Sequence, residues 1–514
     1  MFASSLTLLV WLFLAAQVLA AKIIYSAGTS RITNDIAIMR DFPPGSDPAS
    51  IVSNMAQWSE GRYSAERRFI GQTIVWVVAT NPSSDRKVAL EMQEDMRKLI
   101  EQLWVLPILA STTLAWNIDA TNSSSVNETA TSIAGGLFRR YWNPSATTGQ
   151  FDQPQPWFWW LSGSGWTAFL DYSFYTGDKS YDNAISQALA ANIGEHLDFS
   201  PTSQQGWEAN DDQAYWAYAG LTALEYGFPA LPCVNSTGSR CANSWLDISE
   251  NVFNTYANRW QRDSTTCSGG LKWQYNPQAS GYYYKNSVSN GGFFQIAARL
   301  ARYSNNQTYA DWAVKVWDWS VAVGLVGSGF NVYDGTSDQG ADNCSSLDHD
   351  QWSYNIATYL HGAANMYAFS AGNTTAQAQW ESRVHGLVSA AKATFFSPPT
   401  GNATDVMYEQ QCELTSSCSS TDQVSFKASL SRWLGKTAVL VPSVKSDIDT
   451  LLTASAVAAA TDGCVLAFGN LVCGMKWWTT GFDGLTSFGS QLSALEVVQS
   501  LLVGNAPRLM KASI

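Results

Sequence analysis

From residue 116 onward the chain repeats one pattern about twelve times: an apolar period near 3.6 residues, interrupted by polar turns. The segments run approximately over 124–141, 162–176, 179–197, 211–226, 243–261, 288–303, 307–325, 350–370, 375–396, 424–437, 445–460 and 491–505. Convincing alternating strands are few. Tight turns such as 175–180 and 304–308 join several neighbours, so the segments fall into six successive helical hairpins. Six hairpins in a chain of this length predict an all-α fold, a closed ring of six inner and six outer helices. An open α-solenoid would give the same count.

In a ring of this kind the loops entering the inner helices gather at one end. Those loops hold the polar and aromatic clusters of the chain: Leu271-Lys-Trp-Gln-Tyr275, Gly281 through Gly291, His349-Asp-Gln-Trp-Ser-Tyr-Asn355, Ser425 through Trp433, and Gly474-Met-Lys-Trp-Trp478. Asp211 and Asp212 stand at the start of one helical segment, with Trp207, Glu208, Tyr215 and Trp216 around them. On local pattern alone Asn210-Asp211-Asp212 reads as ordinary helix-start chemistry, since orphan N–H groups and the helix dipole favour acids there. Neighbouring carboxyls can also lie roughly 5 Å apart, the separation that retaining glycosidases use. Two acids so close cannot ionise together easily, so one keeps its proton at mildly acidic pH.

Forty-two acidic against thirty basic side chains give a net charge of -12, and no basic block offsets it. Nucleic acid is therefore not an expected partner. Nineteen of the twenty-three tryptophans lie at or after Trp116. Flat aromatic faces cover sugar rings, although any single Trp more often fills a helix interface. The four histidines, His196, His349, His361 and His385, show no zinc spacing, and Asp334, Asp338, Asp342 and Asp348 fail the EF-hand template. They read as a solvated acidic loop, and no metal or cofactor is expected.

All eight cysteines fall at or after Cys233. Spacing suggests Cys233 with Cys241, Cys412 with Cys418 and Cys464 with Cys473, leaving Cys267 with Cys344, out of 105 connectivities. Sequons occur at Asn122, Asn127, Asn235, Asn306, Asn343, Asn373 and Asn402. Together they point to an oxidising, glycosylating export route and a secreted or wall-associated product. Residues 1–20 read as a signal peptide, with an apolar run over 6–16 and a small-residue site at Val18-Leu19-Ala20. A second signal-like apolar segment spans 96–115 and opens with Met96-Arg97-Lys98. Residues 21–95, without cysteine or sequon, read as a poorly structured extension or a mistaken start, with the functional polypeptide beginning at Met96. The alternative is a real appendage followed by an ordinary apolar helix. The tail lacks a glycolipid-anchor signal, and no internal segment reaches eighteen apolar residues, so no transmembrane span is expected.

Over about residues 116–505, within a catalytic domain read as 116–510, the chain resembles glycoside hydrolase family 76, the α-1,6-mannanases, and more closely its fungal cell-wall members. The resemblance is carried by Trp159-Trp160, Trp166, Asp171-Tyr172, Tyr175-Thr-Gly-Asp178, Asn210-Asp211-Asp212-Gln213, Cys267-Ser-Gly-Gly-Leu-Lys-Trp273, Tyr284-Lys-Asn-Ser-Val-Ser-Asn-Gly291, Ala310-Asp-Trp-Ala313, Gln351-Trp-Ser-Tyr-Asn355 and Ser493-Ala-Leu-Glu-Val497, in family order. It implies an (α/α)6 barrel and a secreted retaining mannan endo-1,6-α-mannosidase, with Asp211 as nucleophile and Asp212 as acid/base. For wall members it implies transfer of a mannose-containing anchor glycan to a β-glucan acceptor. Trp160, Trp207, Trp273, Lys285, Asn286, Asn290, Gln351, Trp352, Lys427 and Trp478 are the candidate sugar contacts. One departure stands out: many wall members have Glu where this chain has Leu161, which would shift substrate choice if that Glu touches sugar. The rival reading is an inactive mannan-binding wall protein on the same barrel.

Overall fold

The computed structural model describes residues 63–70, 73–80, 116–153, 158–206, 208–231, 244–400, 403–418, 422–467 and 469–505. The chain divides into two units, Met1–Ser111 and Thr112–Ile514. In the first, β1 (Tyr63–Ile70) pairs antiparallel with β2 (Thr73–Thr80), Tyr63 opposite Thr80. The rest of 21–95, the signal peptide and the 96–115 segment lie outside the described residues.

The second unit holds twelve helices among its described residues. They are α1 (Ser123–Tyr141), α2 (Trp159–Thr176), α3 (Asp182–Asn192), α4 (Asn210–Tyr226), α5 (Trp245–Asp263), α6 (Ser287–Ser304), α7 (Gln307–Ala322), α8 (Ser353–Phe369), α9 (Thr374–Phe395), α10 (Phe426–Leu440), α11 (Lys445–Thr461) and α12 (Phe488–Gln499). Burial sorts them by alternation. On α1 only Val126, Thr129, Ala130, Ile133, Ala134, Leu137 and Tyr141 are buried, one stripe of an amphipathic outer helix. On α6 every residue from Ser287 to Arg302 is buried, as an inner helix covered on all sides requires.

The inner helices close on themselves. Trp159 of α2 stacks on Trp216 of α4, with ring centroids 5.2 Å apart. Arg299 of α6 pairs with Glu225 of α4 at 2.9 Å, and Phe294 stacks on Tyr359 of α8 at 5.9 Å. His361 of α8 stacks on Trp433 of α10 at 4.5 Å, and Arg432 of α10 pairs with Glu496 of α12 at 2.5 Å. Gln499 of α12 then donates to the Ala168 carbonyl of α2 at 3.2 Å, completing an (α/α)6 barrel. Close approach of α6 to α8 needs Gly291, where a Cβ would collide with the Thr358 hydroxyl. Gly177, at φ 77°, ends α2 in the left-handed conformation that a side chain resists.

Small strands decorate the barrel: β3 (Tyr284–Asn286), β4 (Gly335–Ser337) and β5 (Leu347–Asp348) form one sheet, and β6 (Cys464–Ala467) pairs with β7 (Asn470–Cys473). The Cys267–Cys344, Cys412–Cys418 and Cys464–Cys473 bridges form as spacing suggests, while Cys233 and Cys241 lie outside the described residues. The side chains of Asn122, Asn306 and Asn373 cap α1, α7 and α9. Asn343 is exposed, Asn127 is half-buried, and Asn235 and Asn402 lie outside the described residues. No helix of the described residues is long and apolar enough to cross a membrane.

Candidate active site

The N-terminal ends of α2, α4, α8 and α10, with the loop entering α6, surround a cleft of about 370 Å³. One wall is Trp160 against Tyr215, ring centroids 4.4 Å apart. Tyr354 stacks flat on Phe426 at 3.9 Å, with Trp352 edge-on at 5.6 Å, to make another. Between these aromatic surfaces stand four carboxylates, Asp211, Asp212, Asp334 and Asp422, and no lining residue is Lys, Arg or His.

Asp211 and Asp212 occupy the first turn of α4, where free backbone N–H groups and the helix dipole favour negative charge. Asp212 accepts the Ala209 N–H at 2.7 Å, half of a capping box. Asp211 accepts the Trp273 indole N–H, which lies 3.1 Å from both carboxylate oxygens. Burial, then repulsion from Asp212, holds Asp211 well above the usual carboxylate range. Burial likewise pushes Asp212 up to about 7; the Ala209 N–H opposes it, and Glu208 and Asp422 add to it. Such a pair titrates as a unit and retains a proton at mildly acidic pH. Asp422, which burial pushes up to about 6, and Glu208, which burial pushes up to about 8, keep the surroundings acidic.

Of the candidate sugar contacts, Trp160, Trp273, Asn286 and Trp352 line the cleft beside the Asp pair. Trp207 lies outside the described residues. The remaining candidates do not reach it. Lys285 is fully buried, its Nζ donating to the carbonyls of Asp263, Thr266 and Gly269 at 2.9, 3.0 and 2.5 Å. Asn290 bonds the Leu271 backbone and the Asn286 carbonyl. Gln351 accepts from Asn331 at 2.8 Å, and Lys427 pairs with buried Glu413 at 2.7 Å. Trp478 donates to the same Glu413 at 2.8 Å.

Two further expectations need correcting. The acidic loop is not uniformly solvated: Asp338 is buried against Lys272 and Lys285, and Asp334 lines the cleft, bonded to Tyr284 at 2.8 Å and Asn355 at 3.0 Å. Leu161 is 0% exposed and belongs to the apolar core, so its side chain does not meet sugar in the cleft. Phe158, Asp422 and Gln423 are lining residues that sequence reasoning missed, whereas Gln274 and Tyr284 come from two of the loop clusters expected at this end of the ring.

A family model described as glycosyl hydrolase family 76 matches residues 125–513. Mannan endo-1,6-alpha-mannosidase DCW1 of Saccharomyces cerevisiae is 39% identical over 390 residues, covering 75% of this chain and 81% of the relative. A putative mannan endo-1,6-alpha-mannosidase of Schizosaccharomyces pombe is 37% identical over 410 residues, covering 79% and 87%. The crystal structure of Dfg5 from Chaetomium thermophilum in complex with glucosamine superposes with a TM-score of 0.69 at 31% identity, covering 77% of this chain and 94% of that one. An inactive variant of a Salegentibacter alpha-1,6-mannanase in complex with alpha-1,6-mannotriose, at 16% identity and a TM-score of 0.56, shares the fold, over 73% of this chain and 99% of that one.

Proposed function

This chain belongs to glycosyl hydrolase family 76, and we propose that it is a secreted or wall-associated retaining mannan endo-1,6-α-mannosidase working through Asp211 and Asp212. The observation that carries the reading is the adjacent carboxyl pair standing between aromatic walls at the mouth of the barrel. An Asp211 oxygen attacks the anomeric carbon as the glycosidic oxygen leaves with the proton of Asp212. Asp212 then takes a proton from the acceptor hydroxyl, whose oxygen displaces Asp211.

Positive charge gathering at the anomeric carbon favours a carboxylate at Asp211 beside it and leaves the proton on Asp212. The indole of Trp273 acts in the same sense, since it donates only and so stabilises the Asp211 anion.

Transfer to a glucan hydroxyl rather than water is the finer part of the proposal. A lining with four carboxylates and no cation suits a donor glycan bearing an ammonium group, and the Chaetomium relative was solved with glucosamine. The rival reading, an inactive mannan-binding protein, drew on Leu161 alone, and that residue sits in the core. Product analysis with a labelled α-1,6-mannooligosaccharide, with and without a β-glucan acceptor, separates the outcomes. Lengthened or transferred label supports transglycosylation, shortened products with either acceptor indicate hydrolysis, and unchanged label under both conditions refutes the enzyme reading.

A further inference from the structure

The carboxyl pair is held from outside the cleft. Asn210, the residue before it, is fully buried, and its four polar groups bond two neighbouring segments. Its N–H donates to the Trp273 carbonyl at 3.0 Å, and its Nδ2 to the Lys272 carbonyl at 2.8 Å. Its Oδ1 accepts from Arg259 Nη1 at 2.7 Å, and its carbonyl accepts the Tyr256 hydroxyl. The same Arg259 nitrogen donates to Gln213 Oε1 at 2.7 Å, and Gln213 in turn donates to the Asp198 carbonyl at 2.7 Å. The Arg259 guanidinium covers the Tyr275 ring at 4.0 Å from its centroid.

Tyr256 and Arg259 are three residues apart on outer helix α5, so they share one face. Neither lines the cleft. That face fastens the first turn of α4, which carries Asp211 and Asp212, to the segment 272–274, which places the Trp273 indole over Asp211. Both acceptors of the guanidinium are neutral amide oxygens, which it holds by geometry, while its charge opposes the rise that burial imposes on Glu208 and Asp198. One rigid planar group reaches both oxygens while its face rests on Tyr275, a combination a lysine ammonium cannot reproduce.

We propose that Arg259 is a positioning residue for the glycosidic reaction, acting through Asn210 and Gln213 to fix the carboxyl pair against Trp273. The proposal rests on Asp211 and Asp212 being the reacting acids. Displacing a reacting group by about 1 Å costs on the order of 100-fold in rate.

The test compares the parent with Arg259→Met, Arg259→Lys, Tyr256→Phe and, as control, Asp211→Asn. The kcat and KM for labelled α-1,6-mannotetraose are measured together with thermal unfolding. Arg259→Met lowers kcat by about 100-fold with KM within about twofold, and Arg259→Lys stays at least about tenfold below the parent. A purely structural arginine would lower the melting temperature without separating kcat from KM. Parental kcat in Arg259→Met, a loss confined to KM, or full recovery with Lys overturns the proposal. If Arg259→Met does not fold, Tyr256→Phe decides: reduced kcat with intact KM supports the clamp, and parental kcat overturns it. Parental turnover in Asp211→Asn would instead remove the catalytic assignment itself, a distinguishable failure.

Discussion

Trp273→Phe isolates one hydrogen bond in the proposed mechanism. The substitution keeps an aromatic face in the cleft wall but deletes the indole N–H that lies 3.1 Å from both oxygens of Asp211. The backbone N–H of Asp212, at 3.2 Å from one of those oxygens, remains. A hydrogen bond to a charged group is worth about 1.5–3 kcal/mol, which converts to roughly 10- to 150-fold if it is lost at the transition state. The same energy bears on titration. Asp211 is already held high by burial and by Asp212, and losing a donor to its anion raises it further. The acid limb of the kcat profile, where Asp211 must be a carboxylate, therefore moves to higher pH, by about one to two pH units. Initial rates on labelled α-1,6-mannotetraose, measured from pH 3 to 8 at saturating substrate (assay settings spanning about the range where carboxyls titrate), give the limb directly. A variant with the parental limb and a raised KM would refute the reasoning, because it would make Trp273 a stacking platform rather than a donor to the nucleophile.

Three stability predictions concern buried groups and a disulfide outside the cleft lining. Glu409, which burial pushes up to about 8 against the opposing bonds from Ser353, keeps its proton when folded, whereas the unfolded carboxyl loses it near pH 4.3. Between those values the folded state binds more protons, so stability falls as pH rises; the melting temperature is higher at pH 5 than at pH 8, and Glu409→Gln shrinks the difference. Lys427→Met leaves Glu413, its partner at 2.7 Å, buried and unpaired, and urea unfolding should show a loss of about 3–5 kcal/mol. The Cys267–Cys344 bridge spans 77 residues; replacing both cysteines with serine removes about 4.5 kcal/mol by loop entropy, read from the same titration.

The helix pairing was legible in sequence because outer helices such as α1 must show one apolar stripe, and inner ones such as α6 carry apolar and small residues on every side, with Arg299 and Arg302 paired to Glu225 inside the barrel. The acid pair was legible because both residues come from one short stretch. The errors have local causes. On β3 side chains alternate, so Tyr284 and Asn286 meet the cleft while Lys285 between them points to the Asp338 cluster. At the start of α10 one step of helix rotation separates cleft-lining Phe426 from Lys427, which turns to Glu413. Asp334 and Asp422 come from loops with no periodic signal, and only the tertiary arrangement of the helix entrances makes them cleft residues.

The central claim is that two neighbouring acids on α4 divide the chemistry between them. Steady-state turnover of labelled α-1,6-mannotetraose by Asp211→Asn and by Asp212→Asn, each with an unfolding transition matching the parent, tests it most directly. The account predicts that either substitution alone reduces kcat by more than about 1,000-fold, because nucleophile and proton donor are both required. Parental turnover in either variant would contradict it.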